Sequence, residues 1–329
     1  MYFCFMDKIK IYQTAFIEHL NTYNQSKAPN NLYDPVNYIL NLGGKRLRPV
    51  LTLMACDAFG GDYKLAMDAA LSVEVFHNFS LVHDDIMDDA PLRRGQDTIH
   101  EKWDINTGIL SGDVMLIMAY QLFENYNSDI FHQLAKVFSK TAIEVCEGQQ
   151  YDIDFETRND VSIEEYLKMI EYKTAVLVGG AMKMGAIVAE ASQIDQDAIY
   201  DFGRFLGIAF QLQDDYLDAF GNPETFGKQV GGDIIENKKT YLYLKGLEFA
   251  SEDDKEKLEY WFSTKPEDYT KKVTEVKQIF TNSGTKAATK EAVELYTEKA
   301  FSLLKIMNIP EDNKQLLKQF GLWLMTRNV

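Results

Sequence analysis

Apolar residues recur along most of the chain at the three- and four-residue spacing that is typical of amphipathic helices. The first example is residues 7–23, where the recurring positions are Ile9, Tyr12, Phe16 and Leu20. No segment keeps the alternating apolar and polar pattern of a strand, so the sequence predicts an all-α protein. We expect about ten or more helices, packed as a single domain over residues 1–329.

The same spacing predicts further helices, with boundaries at glycines, prolines and polar runs. They cover residues 36–42, 50–59, 65–87, 110–126, 129–155, 195–218 and most of the chain after 240. Ser162 and Glu165 have the spacing of a capping box, which predicts a helix start at that point. The helix over 110–126 is apolar on nearly all sides, so we expect it to be buried.

Two of these helices end in the same acidic pattern, Asp-Asp-x-x-Asp. The first copy is Asp84, Asp85 and Asp88, and the second is Asp214, Asp215 and Asp218. Aspartates four apart share a helix face, and six carboxylates facing one cavity would repel each other unless cations were bound. One copy alone is as typical of a solvated helix end, but two copies on apolar helices favour magnesium binding.

Basic residues gather at helix breaks near these carboxylates. They are Lys45, Arg46 and Arg48 beside Gly43-Gly44, Arg93 and Arg94 after the first motif, Lys173 at a helix start, and Lys228, Lys238 and Lys239 after the second motif. Arginine offers a planar fork to phosphate oxygens, lysine offers a mobile charge, and glycine lets backbone amides approach an anion. Each residue alone is typical of an ordinary surface charge, but their joint placement predicts phosphate binding.

Composition narrows the class of ligand. The net charge of −16 argues against nucleic acid as a partner. The three cysteines, Cys4, Cys56 and Cys146, have no metal or disulfide spacing, which indicates reduced thiols in a cytoplasm, with Cys56 and Cys146 in the core. We find no secretory signal and no run of about 18 uncharged apolar residues, so we expect no membrane span.

Carboxylates, implied magnesium, basic clusters and apolar helix faces together suit a diphosphate that carries a hydrocarbon tail. A diphosphate is a good leaving group once metal ions and basic side chains neutralise its charge. An apolar pocket with little water would protect the allylic cation that its departure leaves.

Ordered motifs along nearly the whole chain resemble the head-to-tail trans-isoprenyl diphosphate synthases, which include the farnesyl and geranylgeranyl diphosphate synthases. The matching segments are residues 43–49, 83–88, 92–95, 148–152, 173–174, 210–218, 227–228 and 231–240. The resemblance implies a helical bundle of the isoprenoid synthase type around a central cavity, a homodimer, and about three magnesium ions. It also implies ionisation of an allylic diphosphate, attack by the double bond of isopentenyl diphosphate, and proton loss, with the departing pyrophosphate as proton acceptor.

The resemblance implies a role for each matching position. Metal ligands would be Asp84, Asp85, Asp88, Asp152, Asp214, Asp215 and Asp218. The allylic diphosphate would contact Arg93, Lys173, Lys228 and Lys238, and isopentenyl diphosphate would contact Lys45, Arg48, His77 and Arg94. Thr174 and Gln211 would lie beside the forming cation, and Gln149 beside the metal site.

Residues one to two helical turns before Asp84 are interpreted as the wall of a tunnel for the growing chain. They are Phe76, Phe79 and Ser80. In the family, an aromatic residue at the position of Phe79 with a small neighbour resembles a C20 enzyme, whereas two aromatics resemble a C15 enzyme. We expect geranylgeranyl diphosphate as the product, with farnesyl diphosphate or a longer chain as alternatives. In another hypothesis Phe79 is ordinary core, and Met115, Met118 or a partner subunit forms the floor.

Two other classes of protein stay open at this point. A head-to-head synthase or a terpene cyclase would use similar substrates, but a cyclase would lack the segment 43–49, and a head-to-head synthase would carry different acidic motifs. A non-catalytic subunit of a prenyl synthase typically has decayed acidic motifs, and both motifs are intact here.

Overall fold

The structure is a computed structural model that describes residues 2–23, 27–222 and 230–326. Within these residues the chain is helical apart from one two-stranded antiparallel hairpin. The prediction of an all-α protein is therefore confirmed.

The first half of the described chain carries the hairpin and six helices. The helices are α1 (Tyr2–Tyr23), α2 (Asn30–Asn41), α3 (Leu47–Ala58), α4 (Met67–Met87), α5 (Ile99–Lys102) and α6 (Ile105–Gln121). The strands β1 (Leu92–Arg93) and β2 (Gln96–Asp97) lie between α4 and α5, with Leu92 opposite Asp97. Single 3₁₀ turns precede α4 (Tyr63–Ala66) and follow α6 (Leu122–Asn125).

Helices are the regular secondary structure of the described residues in the second half. The helices are α7 (Ser128–Thr157), α8 (Ile163–Ile170), α9 (Val176–Val188), α10 (Gln193–Phe220), α11 (Gly232–Ile235), α12 (Tyr241–Phe249), α13 (Glu252–Ser263), α14 (Tyr269–Asn282), α15 (Thr285–Leu303) and α16 (Glu311–Met325). A π-helical turn, Glu171–Ala175, joins α8 to α9. The capping box is confirmed, because the Ser162 side chain accepts from the Glu165 amide and the Glu165 carboxylate accepts from the Ser162 amide.

The start of α2 and the segment after α4 differ from the sequence prediction. The second helix begins at Asn30 rather than residue 36 and contains Pro35. A proline this near a helix start removes one hydrogen bond without ending the helix. The segment after α4 keeps no strand pattern in the sequence but pairs as a hairpin, since Arg94 (φ 55°) and Gly95 (φ 76°) adopt the left-handed turn that brings β1 and β2 together.

The prediction that the helix over 110–126 is buried is wrong for one side of α6. Only one of its faces is buried, through residues that include Ser111 and Met115, while Ile109, Leu110 and Ile117 are exposed. An apolar sequence cannot show by itself which face a neighbouring element covers. Cys146 is likewise exposed, whereas Cys56 is buried as predicted.

The chain divides into two compact units, each assembled from separate stretches. Unit 1 contains Met1–Lys140, Gly180–Tyr200 and Asn308–Asn313, and unit 2 contains Thr141–Gly179, Asp201–Met307 and Lys314–Val329.

Each unit has a core of its own. In unit 1 the rings of Phe76 and Tyr120 pack against Phe138 at centroid distances of 5.1 and 4.5 Å. In unit 2 a cluster that includes Leu212, Leu258 and Phe280 is buried.

One described stretch, Tyr63–Met87, is long and apolar enough to cross a membrane. However, 67% of its most apolar window is buried within the protein, as is usual for a core helix.

Candidate active site

The first acidic cluster lies at the carboxyl end of α4, in unit 1. Asp84 and Asp85 are in the last helical turn, and Asp88 is the C-cap, with its amide bound to the Asp84 carbonyl at 2.9 Å. The helix dipole disfavours negative charge at this end, so three carboxylates here weaken the helix. A bound cation would offset this cost.

Asp85 has a partner within the protein. Its side chain is 3% exposed and receives a forked pair of bonds from Arg93, with Nε at 2.8 Å and Nη2 at 2.6 Å from Oδ1. Arg93 Nη2 also lies 3.8 Å from Asp84 Oδ2. Burial lowers the pKa of Arg93, but the bond to Asp85 and the charges of the three aspartates outweigh it and raise that pKa above its ordinary value.

The loop before α3 brings several cations together in unit 1. Gly43 (φ 79°), Gly44 (φ 121°) and Arg46 (φ 49°) all adopt left-handed backbone conformations. Arg46 is buried and donates to Glu74 and to the Leu40 carbonyl, which fixes the loop from inside. A Cβ on Gly44 would lie 2.9 Å from Cζ of Arg94, so only glycine allows that guanidinium to lie against the loop.

Arg48 and His77 form the centre of this group of cations. Arg48 Nη1 lies 3.0 Å from His77 Nε2, and the buried Arg48 Nε has no hydrogen-bond partner among the described residues. Burial and then the charges of Arg48, Arg94, Arg93 and Arg46 hold the pKa of His77 well below its ordinary value. Burial, with the charge of Arg94 in the same direction, also lowers the pKa of Arg48 against the opposing effect of Glu74. A bound anion would relieve this crowding of positive charge and pair the buried N–H.

The second acidic cluster lies at the carboxyl end of α10, in unit 2. Asp215 is buried and accepts a hydrogen bond from the hydroxyl of Tyr166 on α8. Asp218 Oδ2 accepts from the amide of Asp233 at 3.0 Å, which draws the start of α11 towards this cluster. Burial, then the charge of Asp233, raises the pKa of Asp215 well above its ordinary value, although bonds from Tyr166 and Gln211 oppose that rise.

The π-helical turn positions Lys173 and Thr174 in unit 2. A Cβ on Gly148 of α7 would lie 2.2 Å from the Lys173 nitrogen, and one on Gly207 of α10 would lie 2.6 Å from Cα of Ala175. The backbones therefore touch on both sides of the turn, which only glycine permits. A π turn inside a helical segment is frequently a functional feature.

Two side-chain pairs follow from this packing. Lys173 Nζ donates to Asp152 of α7, and Thr174 Oγ1 donates to Gln211 Oε1 of α10 at 3.4 Å. The buried Nε2 of Gln149 has no hydrogen-bond partner among the described residues.

The remaining lysines after the second motif have different surroundings. Lys238 Nζ lies 3.1 Å from Glu236 and is 55% exposed. Lys239 instead donates to the carbonyl of Phe155 in the last turn of α7 and to that of Arg158 just after it, so it stabilises that helix terminus. Lys228 lies outside the described residues.

Both clusters fit magnesium by their chemistry. They offer carboxylate oxygens, which are the ligands that a hard cation prefers. In unit 2, Asp214 and Asp233 both add negative charge at the buried Asp215, and a divalent cation would offset that repulsion.

The residues predicted to set chain length lie in unit 1, on α4. Phe76 is 1% exposed and packs on Phe138, whereas Phe79 is 8% exposed and packs on His83 at a centroid distance of 4.8 Å. Ser80 donates to the His77 carbonyl. Met115 is buried and Met118 is partly buried.

Comparisons with known proteins agree with the chemistry of the site. The sequence matches the Polyprenyl synthetase family model over residues 29–281. A solved structure described as geranylgeranyl pyrophosphate synthase is 56% identical, with a TM-score of 0.93, and the match covers 97% of this chain and 98% of that one.

Two curated relatives come from archaea. The short chain isoprenyl diphosphate synthase of Methanothermobacter thermautotrophicus is 40% identical over 254 residues, 77% of this chain and 78% of its own. The geranylgeranyl diphosphate synthase of Methanosarcina mazei is 41% identical over 222 residues, 67% of this chain and 68% of its own.

These matches define a class of helical enzymes that handle isoprenyl diphosphates. The chain belongs to the polyprenyl synthetase family. The resemblance predicted from the sequence motifs is confirmed, and so is the isoprenoid synthase fold.

Three contacts of the site were not predicted from the sequence, although Arg46 and Asp233 themselves lie in the matching motifs. Tyr166 bonds Asp215, the pair Arg46 and Glu74 fixes the loop before α3, and Asp233 bonds Asp218. A tyrosine on the buried face of α8 is the only signal that Tyr166 gives, and many core tyrosines share it.

Proposed function

We propose that this protein is a trans-prenyltransferase that condenses isopentenyl diphosphate with an allylic diphosphate, releasing pyrophosphate and yielding C20 geranylgeranyl diphosphate. The observation that carries the proposal is the pairing of chemistries at helix ends. Carboxylates end α4 and α10, and a crowded group of cations with a buried unpaired N–H lies beside α3.

The cations of unit 1 account for binding of isopentenyl diphosphate. Arg48 offers a buried Nε–H, and Lys45, Arg94 and His77 complete the group, with His77 neutral because its pKa is depressed. Charge-assisted bonds from arginine to phosphate oxygens are stronger than neutral ones. We assign binding of the allylic diphosphate to Arg93, Lys173, Lys238 and Lys228.

The aspartates of each cluster, with Asp152, are proposed to bind about three magnesium ions in total, which would neutralise the diphosphate as its bond to carbon breaks. The side-chain oxygens of Thr174 and Gln211 lie 3.4 Å apart, and we assign to their dipoles the stabilisation of positive charge on the allylic carbon. Gln149 supplies a buried amide N–H near this turn. The departing pyrophosphate would accept the proton lost at the end of the reaction.

Residues near Phe79 support a medium chain length. Phe79 is nearly buried, with the small Ser80 next to it, which leaves one aromatic ring as a stop. The relatives described as geranylgeranyl synthases support C20 over the C15 alternative or a longer chain.

The direct test incubates the purified chain with magnesium, isopentenyl diphosphate and each allylic diphosphate in turn, and separates the dephosphorylated products by chromatography. We expect a C20 alcohol from geranyl or farnesyl diphosphate. A C15 end product would support the runner-up, and absence of any elongated product would contradict the proposal.

The stop itself is tested by Phe79→Ala, which should lengthen the product. Phe123→Ala is the matched control, because Phe123 is buried and packs on Phe138 at 5.4 Å but is not on α4. An unchanged product from Phe79→Ala would favour Met115, Met118 or a partner subunit as the floor.

We further propose that residues 1–329 act as one domain, that the protein is a homodimer, and that it works in the cytoplasm. The exposed apolar residues of α6 support a second copy as their cover, since a patch of this kind marks an interface. Ile117→Glu should give a monomer in light scattering, whereas Leu65→Glu, at a residue that is also exposed in unit 1, should not. A wild-type monomer would contradict this part of the proposal.

A further inference from the structure

A second group of metal-ligating side chains lies just beyond the first acidic motif. Ligand atoms of Asp89, His100 and Glu101 all lie within 4.8 Å of one another. Asp89 follows the end of α4, and the other two residues are on the short helix α5. None of the three has a part in the reaction proposed above.

His100 is the informative member of this group. Its side chain is 5% exposed, and neither ring nitrogen makes a hydrogen bond to any described residue. Nε2 lies 3.9 Å from Glu101 Oε1, which is beyond hydrogen-bond distance. Buried polar atoms are nearly always paired, so an imidazole buried beside two carboxylates calls for a ligand.

The lysine nearest to this group in sequence lies against an aromatic ring instead of its carboxylates. The lysine next to it in sequence, Lys102, lies over the ring of Tyr38 at 3.9 Å from the centroid. Thus the two carboxylates and the imidazole meet an incoming cation without competition from that ammonium group.

We infer that Asp89, His100 and Glu101 form a binding site for a divalent transition-metal ion, with zinc as the best match. One imidazole and two carboxylates are a donor set that zinc takes with water as the fourth ligand. Magnesium prefers all-oxygen ligands, so the imidazole separates this site from the acidic motifs. Donor atoms around zinc lie about 3.4 Å apart, and the two exposed carboxylates reach that spacing by side-chain rotation towards the fixed His100.

The site has a consequence for the hairpin that it encloses. Residues 90–98 lie between Asp89 and α5, and they carry Arg93 and Arg94. Thr98 already closes this segment through bonds to the Ala90 and Pro91 carbonyls at 2.8 and 3.2 Å. A bound ion would join the same two ends more firmly and slow hydrogen exchange of the hairpin amides.

The test uses the full chain labelled with ¹⁵N-histidine and titrated with zinc in excess magnesium, which occupies the all-oxygen sites. The chain has five histidines, and the ring signals that disappear in His100→Gln identify His100. We expect those signals to shift with the first equivalent of zinc. A titration in which only other histidines shift, or none, would overturn the inference.

Two surface variants test the carboxylates without touching the buried ring. Asp89→Asn keeps a residue type that tolerates the left-handed backbone at this position (φ 48°), and Glu101→Gln is isosteric. Each should weaken zinc binding at His100 by at least about tenfold. Glu124→Gln, at an exposed glutamate of unit 1, should bind zinc as the wild type does. Equal zinc affinity in all four proteins would also overturn the inference.

Discussion

The two acidic motifs have the same sequence pattern and the same position at a helix end, but their electrostatic surroundings differ. In each motif the second aspartate is buried and bonded by the protein, whereas the first and last are more exposed. Asp85 is bonded by the guanidinium of Arg93, and Asp215 is bonded by the hydroxyl of Tyr166.

The first motif therefore has a counter-charge within the protein, whereas the second motif gathers negative charge. A forked arginine bond supplies a positive charge to a buried carboxylate, but a neutral hydroxyl supplies a hydrogen bond without that charge. Asp233 adds to the repulsion at Asp215, whose pKa is raised accordingly. Metal binding should therefore relieve more electrostatic repulsion in the second cluster than in the first.

The largest expected effect concerns what the two clusters share. Asp84→Ala and Asp214→Ala should each lower turnover by about 100- to 1000-fold, because each removes preorganised charge from the developing transition state. Steady-state rates checked beside circular dichroism would measure this. Asp253→Ala, at an exposed aspartate, is the control, and near-normal turnover in either motif variant would show that its cluster is not catalytic.

The next largest effect is the loss of stability when Asp85 loses its partner Arg93. Arg93→Ala leaves Asp85 buried without a cation, and since Arg93 is partly exposed the loss of unfolding free energy should fall near the lower end of about 3–5 kcal/mol. Denaturant unfolding of the metal-free protein measures it. The double variant Arg93→Ala, Asp85→Ala should recover part of the loss; if the two losses simply add, the pair is not coupled.

Removing the neutral partner should cost less. Tyr166→Phe deletes one hydrogen bond to Asp215, with an expected loss of about 1–3 kcal/mol in the same unfolding experiment. A loss as large as that of Arg93→Ala would contradict the difference between the two motifs, because a hydroxyl and a guanidinium would then stabilise their aspartates equally.

The smallest expected effect is a change of stability with pH, which is due to His77 among the cations of unit 1. The depressed pKa of His77 means that the unfolded chain takes up a proton below about pH 6.5 before the folded protein does, so stability falls as pH falls. The loss is at most about 1.4 kcal/mol per pH unit. His77→Gln should reduce the loss between pH 7.5 and 5.5, whereas His132→Gln, at an exposed histidine, should not. Identical pH profiles for all three proteins would rule out this account of His77.

Much of the fold could be predicted from apolar spacing, because burial of one helix face dictates that pattern. The spacing identified α4 and α10 and the acidic motifs at their ends. It could not show which face of α6 is covered, since that depends on neighbours distant in sequence. It also could not show that Arg94 and Gly95 turn a hairpin, since strands of two residues are too short to carry an alternating pattern.

The site could be predicted as a set of residue types but not as a set of partners. Motif spacing located Asp85 and Asp215, yet Arg93 and Tyr166 became their partners through packing between different elements. Asp89, His100 and Glu101 could not be predicted as a group, because the hairpin lies between them in the chain and they come close only in the fold.

The dependence of condensation on magnesium can be measured in a single assay. The purified wild-type chain is given radiolabelled isopentenyl diphosphate and farnesyl diphosphate, once with magnesium and once with a chelator, and pyrophosphate and labelled product are counted together. We predict equal amounts of pyrophosphate and elongated product with magnesium, and neither with the chelator. Condensation that continues without divalent metal, or pyrophosphate released with no elongated product, would contradict the account.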